Sequence, residues 1–230
     1  DNSPELLLTG VQRDAINRLV GSAWSEGNLM AQYGARIVFT SFDLFDWGDQ
    51  SGLWNRLYLS IRDAQALEDI AVKTENPSYE AVSLIMQSFL FQILTDMYGD
   101  VPYSQALQAE AEEAIFAPAY DAQEDVYSGL LADLERANQL LAGSNLPGVK
   151  GDIIFGGDLE LWRKFANALR LRVALRLSEV KTATAETVIA QIYNDPAQFP
   201  VMESNADNAV LNYLTSFPNA NPITEENRYR

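Results

Sequence analysis

Trp54-Asn55-Arg56-Leu57-Tyr58-Leu59-Ser60-Ile61-Arg62-Asp63-Ala64-Gln65-Ala66-Leu67 decides the fold. Its residues Trp54, Leu57, Tyr58, Ile61, Ala64 and Leu67 recur at spacings of mostly three and four, the period of one face of an α-helix. The pattern returns at an offset of 73 as Tyr127, Leu130, Leu131, Leu134, Ala137 and Leu140. A weaker copy stands at an offset of 108, where Trp162, Phe165 and Leu169 replace Trp54, Leu57 and Ile61. These offsets are close to two and three times a ~34-residue helical repeat. One such hairpin cannot bury its apolar face alone, so the repeat predicts stacked hairpins sharing a continuous seam.

The pattern begins W-x2-L, as tetratricopeptide repeats do, and the rest of the chain agrees with an all-α, tetratricopeptide-like architecture. Leu6 to Trp24 carries an apolar stripe at Leu7, Val11, Ala15, Leu19 and Ala23 just after Pro4, a favoured helix-starting residue. Further helices are expected over 53–72, 79–98, 123–141, 159–180 and 185–193. Asp43 to Gly52 breaks the period with Asp, Gly and Ser and reads as a loop. Val149 to Phe155 and Ala209 to Tyr213 are apolar enough to pair as short strands, without convincing alternation.

Composition removes whole classes of function. The 230 residues are 47% hydrophobic and 21% charged, enough to bury a sizeable core. Sixteen basic against 32 acidic residues leave a net charge of −16, which argues against nucleic acid or anionic lipid as a partner. There is no Cys and no His, so disulfides, a thiol nucleophile, a Ser-His-Asp triad within this chain and the commonest zinc ligands are excluded. Catalysis would fall to carboxylates, Lys or Tyr. No run of 18 apolar residues is present, and no cofactor motif is found.

Three motifs have structural explanations. In Tyr98-Gly99-Asp100-Val101-Pro102-Tyr103, Gly99 suits the left-handed residue after a helix and Pro102 prevents its continuation. In Tyr120-Asp121-Ala122-Gln123-Glu124, Asp121 is expected to cap a helix whose first turn holds Glu124. In the third, Asp158 precedes Trp162, Phe165, Ala166, Asn167, Leu169, Leu171 and Arg172. On a helical wheel Arg176 falls within the arc of Trp162, Phe165 and Leu169, with Arg172 at its edge. A buried Arg176 bonded to a carboxylate or carbonyl of another helix is therefore expected.

The segment 39–54 is where binding chemistry is concentrated. A sugar presents an apolar C–H face that stacks on an aromatic plane, and hydroxyls that bond carboxylates and amides. Phe42, Phe45 and Trp47, with Asp43, Asp46, Asp49 and Gln50, supply both within nine residues. Two other readings stand beside it: the rings plug the end of the helical stack, or the aspartates at i, i+3 spacing hold calcium, although the register and terminal Glu of an EF-hand are missing.

The three motifs, in order, with Trp54-Asn55-Arg56-Leu57-Tyr58 before them and Asp207-Asn208-Ala209-Val210 after them, resemble the SusD/RagB family. The resemblance runs over almost the whole chain. It implies a surface lipoprotein of the bacterial outer membrane that captures nutrients, mostly glycans, for a TonB-dependent transporter of the SusC type. It also implies that 1–230 is the N-terminal, tetratricopeptide-like part of a protein about twice this long, with only one wall of the ligand site. Family members carry a signal peptide and a lipid-bearing cysteine, so a membrane would be reached only through an anchor this chain does not contain.

Three classes remain. The resemblance favours a non-enzymatic glycan-binding component that delivers ligand to its transporter. Periodicity alone favours a tetratricopeptide-like scaffold for a protein or peptide. A glycosidase would need two carboxylates about 5 to 9.5 Å apart across a cleft, and no pair stands out.

Overall fold

The computed structural model describes residues 3–110, 113–216 and 219–223. About 60% of these are helical and none lies in a strand. The helices are α1 (Pro4–Ser22), α2 (Asn28–Met30), α3 (Ser51–Lys73), α4 (Pro77–Tyr98), α5 (Gln123–Leu141), α6 (Leu159–Arg176) and α7 (Thr182–Asn194). A π-helical turn, Ala23–Gly27, joins α1 to α2. Local chemistry sets the ends. Asn76 caps α4, accepting from the amides of Ser78 and Tyr79, with Pro77 at the first helical position; Asp158 caps α6 in the same way through Glu160 and Leu161.

The helices form an antiparallel row in which α1 packs on α3, α3 on α4, α4 on α5, α5 on α6 and α6 on α7. The Tyr98 hydroxyl bonds the Gln50 carbonyl at 2.7 Å, bringing the end of α4 to the start of α3. Gln123 Nε2 bonds the Thr95 carbonyl at 2.7 Å, and the Arg163 guanidinium bonds Asn138, so direction alternates along the row. The repeat seam is the core: Leu57, Ile61, Ala64 and Leu67 of α3, Leu130, Leu134 and Ala137 of α5, and Trp162 and Leu169 of α6 are all buried. The α1 stripe is rotated by a residue, burying Leu8, Val11, Gln12 and Ala15 while Ala23 faces solvent. Central α4 has neighbours on several sides. It is long and apolar enough to cross a membrane, with mean hydropathy 1.2, yet 72% of that stretch is buried among the other helices.

The first two motifs are halves of one joint. Val101 and Asp121 exchange backbone hydrogen bonds of 3.2 and 3.0 Å as an isolated antiparallel bridge. Asp100 Oδ1 then accepts the Gln123 amide at 2.9 Å, so the carboxylate at the start of α5 comes from the other motif. Asp121 does not cap α5. The N-cap is Ala122, without a side-chain bond, and the Asp121 carboxylate turns back to accept the amides of Tyr103 (2.8 Å) and Ser104 (2.9 Å) and the Ser104 hydroxyl (2.6 Å). Gly99 has φ +75° and ψ −122°. Its φ is positive as expected, but this is a glycine-only region outside the left-handed helical well. Pro102 continues the extended chain, and its carbonyl accepts the Tyr58 hydroxyl at 2.7 Å. Tyr103 passes across Gly129, where a β-carbon would lie 2.4 Å from the ring.

Residues 149–155 are not a strand, because a side chain takes the amides a ladder would use. Asp152 accepts from the backbone of Ile154, Phe155 and Gly157, from Gln12 Nε2 of α1 at 2.8 Å and from the Trp162 indole of α6 at 2.8 Å. Gln12 Oε1 accepts the Ile153 amide in return. Segment 209–213 is also irregular, fastened by the Tyr213 hydroxyl to Asn17 Oδ1 at 2.8 Å.

The arginine expectation needs correction. Arg176 does meet a carboxylate, with Nε 3.2 Å from Asp96 and 2.9 Å from the Tyr127 hydroxyl, but its side chain is 52% exposed. Helix α6 is flanked by both α5 and α7, so its buried arc runs through Leu169, Trp162, Val173, Ala166, Arg170, Ala174 and Asn167, rotated away from Arg176, the last residue of the helix. The buried arginine is Arg170, 2% exposed, which bonds Glu135 (2.7 Å) and Gln191 (2.8 Å) and lies over the Phe199 ring. Arg170→Ala is expected to cost about 3 kcal/mol by stranding these partners, whereas Arg176→Ala should cost no more than ~1 kcal/mol; thermal or urea unfolding of the two variants checks the order.

Two carboxyls between the helices are held above their ordinary range. Burial raises Glu68, against the lowering effect of the Gln87 amide bonded at 2.6 Å, and burial raises Asp133, against the Tyr103 hydroxyl at 2.6 Å. A raised folded-state value means that ionisation opposes folding. That penalty is full above the folded values and disappears as pH falls toward the unfolded ones, near 4.5 and 3.8. The melting temperature is therefore expected to rise on acidification from neutral toward pH 5, and less so in Glu68→Gln; a flat profile in the parent chain refutes this.

Candidate functional site

Alternating helix direction collects the C-terminal ends of α1, α4 and α6 and the N-terminal ends of α3, α5 and α7 at one end of the row. The chain between α2 and α3 lies at that end. It reverses repeatedly, at Gly48 (φ +63°) and also at four residues with a β-carbon: Gln32, Phe39, Phe45 and Gln50 have φ between +52° and +59°. Such angles are uncommon for residues with a β-carbon, and they gather in loops built for a surface rather than for a core. Short bonds hold the reversals, among them Leu44 N to Thr40 O (3.1 Å) and Asp46 N to Ser41 O (2.9 Å).

The structure gives each candidate residue a place. Phe42 is half-buried under the Arg36 guanidinium, 5.9 Å from the ring centre, and Asp43 accepts the Arg36 amide through both oxygens at 3.3 Å. Phe45 and Asp46 are exposed. Trp47 is 37% exposed and tilts against Phe45 with centroids 5.8 Å apart. The Gln50 amide donates to the Trp47 carbonyl, and Asp49 accepts the Ser51 amide at 3.0 Å, supporting the first turn of α3. That amide and the Ser51 hydroxyl hold the Asp49 carboxyl below its usual value, so it stays an acceptor. Of the three rings, Phe45 faces solvent, while Phe42 and Trp47 are partly covered. Among the described residues, no group of three His, Cys, Asp or Glu side chains is gathered to hold a metal ion, and Asp43 and Asp49 are each turned to a local amide.

Sequence reasoning left a second aromatic group outside the candidate site. Trp54, in the first turn of α3, meets Tyr58 at 5.1 Å, Tyr98 edge-on at 5.0 Å and Tyr120 in a stacked pair at 6.1 Å and 23°. Tyr120 is 65% exposed, so it presents a flat ring to solvent beside the loop. Burial raises the Tyr58 hydroxyl well above its ordinary value, keeping it a donor to Pro102. The available signal was positional: Trp54 and Tyr120 each sit near the N-terminus of a helix, and antiparallel neighbours put those ends together. Two clefts border the loop. One of about 260 Å³ includes Trp24, Gln50 and Arg56, and one of about 980 Å³ includes Trp24, Tyr33, Arg36 and Phe39.

A family model described as starch-binding and associating with the outer membrane matches residues 1–230. The chain belongs to the SusD-like family. Among solved structures, a Bacteroides vulgatus ATCC 8482 protein described as a candidate outer-membrane nutrient-binding protein is 33% identical, with a TM-score of 0.75 over 96% of this chain and 46% of that one. A SusD homolog from Bacteroides fragilis NCTC 9343 is 30% identical, TM-score 0.74, over 96% of this chain and 46% of that one. A chitin-binding protein is 30% identical, TM-score 0.75, over 90% of this chain and 45% of its own. This SusD-like chain thus spans less than half the length of these relatives. A search of curated proteins found no match.

The joint below the platform is open to test. Desolvation pushes the Asp121 carboxyl up, but the Ser104 hydroxyl and the amides of Ser104 and Tyr103 together outweigh it and hold the carboxyl below its usual value. Asp121→Ala should cost about 1–2 kcal/mol by leaving two amides without their acceptor, and should loosen Tyr120 from Trp54, seen as a weaker near-ultraviolet circular-dichroism band.

Proposed function

We propose that this SusD-like chain binds glycan, without cleaving it, on the end face formed by the 39–54 loop and the Trp54–Tyr120 pair. In this reading Trp47 and Tyr120 offer rings to sugar C–H faces, while Asp43, Asp46, Asp49 and Gln50 receive or donate hydroxyl bonds. The observation that carries the proposal is the gathering of exposed rings and acceptors at one end of the stack, in a chain whose family model is described as starch-binding. The chitin-binding relative supports the same ligand class. We assign the site to the surface of the bacterial outer membrane, with 1–230 as the N-terminal part of a longer protein that passes its ligand to a TonB-dependent transporter of the SusC type.

A binding role also suits the carboxylates. A glycosidase acid needs a raised pKa facing the cleft. The carboxyls raised here, Glu68 and Asp133, lie mid-helix, bonded to Gln87 and Tyr103.

Trp47→Ala tests the proposal. One stacked ring contributes about 0.5–1.5 kcal/mol beyond area burial, so calorimetric titration with chitohexaose and maltoheptaose should show affinity reduced about tenfold at most, with the melting temperature unchanged. Unchanged affinity with a large loss of stability would assign the loop to the scaffold, and release of reducing ends would assign an enzyme.

A further inference from the structure

A third cleft opens on the same end face, and none of the residues proposed to hold glycan lines it. It encloses about 640 Å³ between Asp96 of α4, Glu124 and Tyr127 of α5, Arg176 of α6 and Lys181 after it. Resting on the glycan-binding reading above, we propose that this cleft recognises the acidic group of a charged oligosaccharide, a uronate carboxylate or a sulfate ester, with Arg176 and Lys181 as its cations.

Arg176 spends only Nε on the protein, against the Tyr127 hydroxyl (2.9 Å) and Asp96 (3.2 Å). Tyr127 in turn donates to Asp96, so the guanidinium is fixed from behind. Its two terminal nitrogens have no partner among the described residues, which leaves a planar fork oriented for a carboxylate or sulfate. Lys181 pairs with Glu124 at 2.5 Å, but both side chains are largely exposed, at 46% and 62%, so water screens the pair and an entering anion can exchange for it. Arg172, one turn before Arg176, does not line the cleft: its guanidinium bonds Gln92 Oε1 at 2.9 Å and lies over the Phe89 ring. Two cations stand against two carboxylates here, in a chain that elsewhere carries the surplus of sixteen negative charges. Leu177 and Val180 add an apolar wall for the sugar ring.

Position completes the case. Tyr120, the exposed ring stacked on Trp54, precedes Gln123 at the cleft edge by three residues, a span of at most ~11 Å. A short oligosaccharide seated on the aromatic platform therefore reaches the cations.

The test is calorimetric titration of this chain with tetragalacturonate, a chondroitin 4-sulfate tetrasaccharide, neutral chitotetraose and a polyglutamate peptide, at low and high salt. We expect at least one acidic saccharide to bind tenfold or more tighter than chitotetraose, with a preference that shrinks as salt rises. The stronger of the two identifies the acidic group. Arg176→Gln with Lys181→Gln should abolish the preference while leaving neutral binding and the melting temperature intact. Lys181→Gln alone, at an exposed position, should reduce it in a chain whose folding is not in question. Equal affinity for acidic and neutral probes, or a preference that survives the double variant, overturns this inference and leaves the glycan site standing. No binding of any saccharide overturns both, and tighter binding of polyglutamate assigns the cleft to acidic peptides instead.

Discussion

A single carboxylate closes the helical row. Asp152 receives three backbone amides from its own loop, the amide side chain of Gln12 and the indole of Trp162, so one side chain joins the first long helix to the sixth. Gln12 and Trp162 are fully buried, so their donors would otherwise lack a partner, and an unpaired buried polar group costs more than a made bond returns. The loop that carries Asp152 is pressed against α1, where a β-carbon at Gly151 would lie 2.1 Å from the Glu5 carbonyl. With the row fixed at that point, the remaining helices have one way to alternate, and their ends are sorted into two faces.

The face with the loop gathers exposed rings and acceptors because strain and solvent exposure coincide there. Helix interiors spend their surface on neighbours, and α4 shows the limit, with nearly every residue of its central turns buried. The helix ends and the connection between α2 and α3 have no such obligation. The Asp100–Asp121 joint ties this end by trading acceptors between the two ends of the α4–α5 connection: each carboxylate serves the amides of the other end. The Trp54–Tyr120 platform sits directly on that joint, so its orientation follows from backbone pairing rather than from the rings.

Much of this was legible in the sequence because it depends on period. The seam from Trp54 to Leu67 and its copy from Tyr127 to Leu140 are read from spacing alone, and α5 begins and ends where the pattern says. What depended on neighbours was not legible. Arg176 failed on the wheel because the buried arc of α6 is set by two flanking helices, and no single-helix pattern knows where α7 lies. Asp121 failed because a capping residue was available from another segment. Residues 149–155 failed because an aspartate supplied the acceptors a strand would have needed. The loop aromatics were found by their composition, whereas Tyr120 became part of the platform only when two helix ends met.

The connection between α2 and α3 is anchored at its downstream end by Asp49 on Ser51 and by Tyr98 on the Gln50 carbonyl, bonds that make no use of the rings between them. The rings proposed to meet glycan and the bonds that anchor their segment therefore belong to different residues. Doubling the length of a flexible loop raises its closure entropy by only about 0.6 kcal/mol. On the glycan-binding proposal, such a segment can be exchanged like a cassette, lengthened or rewritten for another sugar, while the helical frame that presents it keeps its sequence.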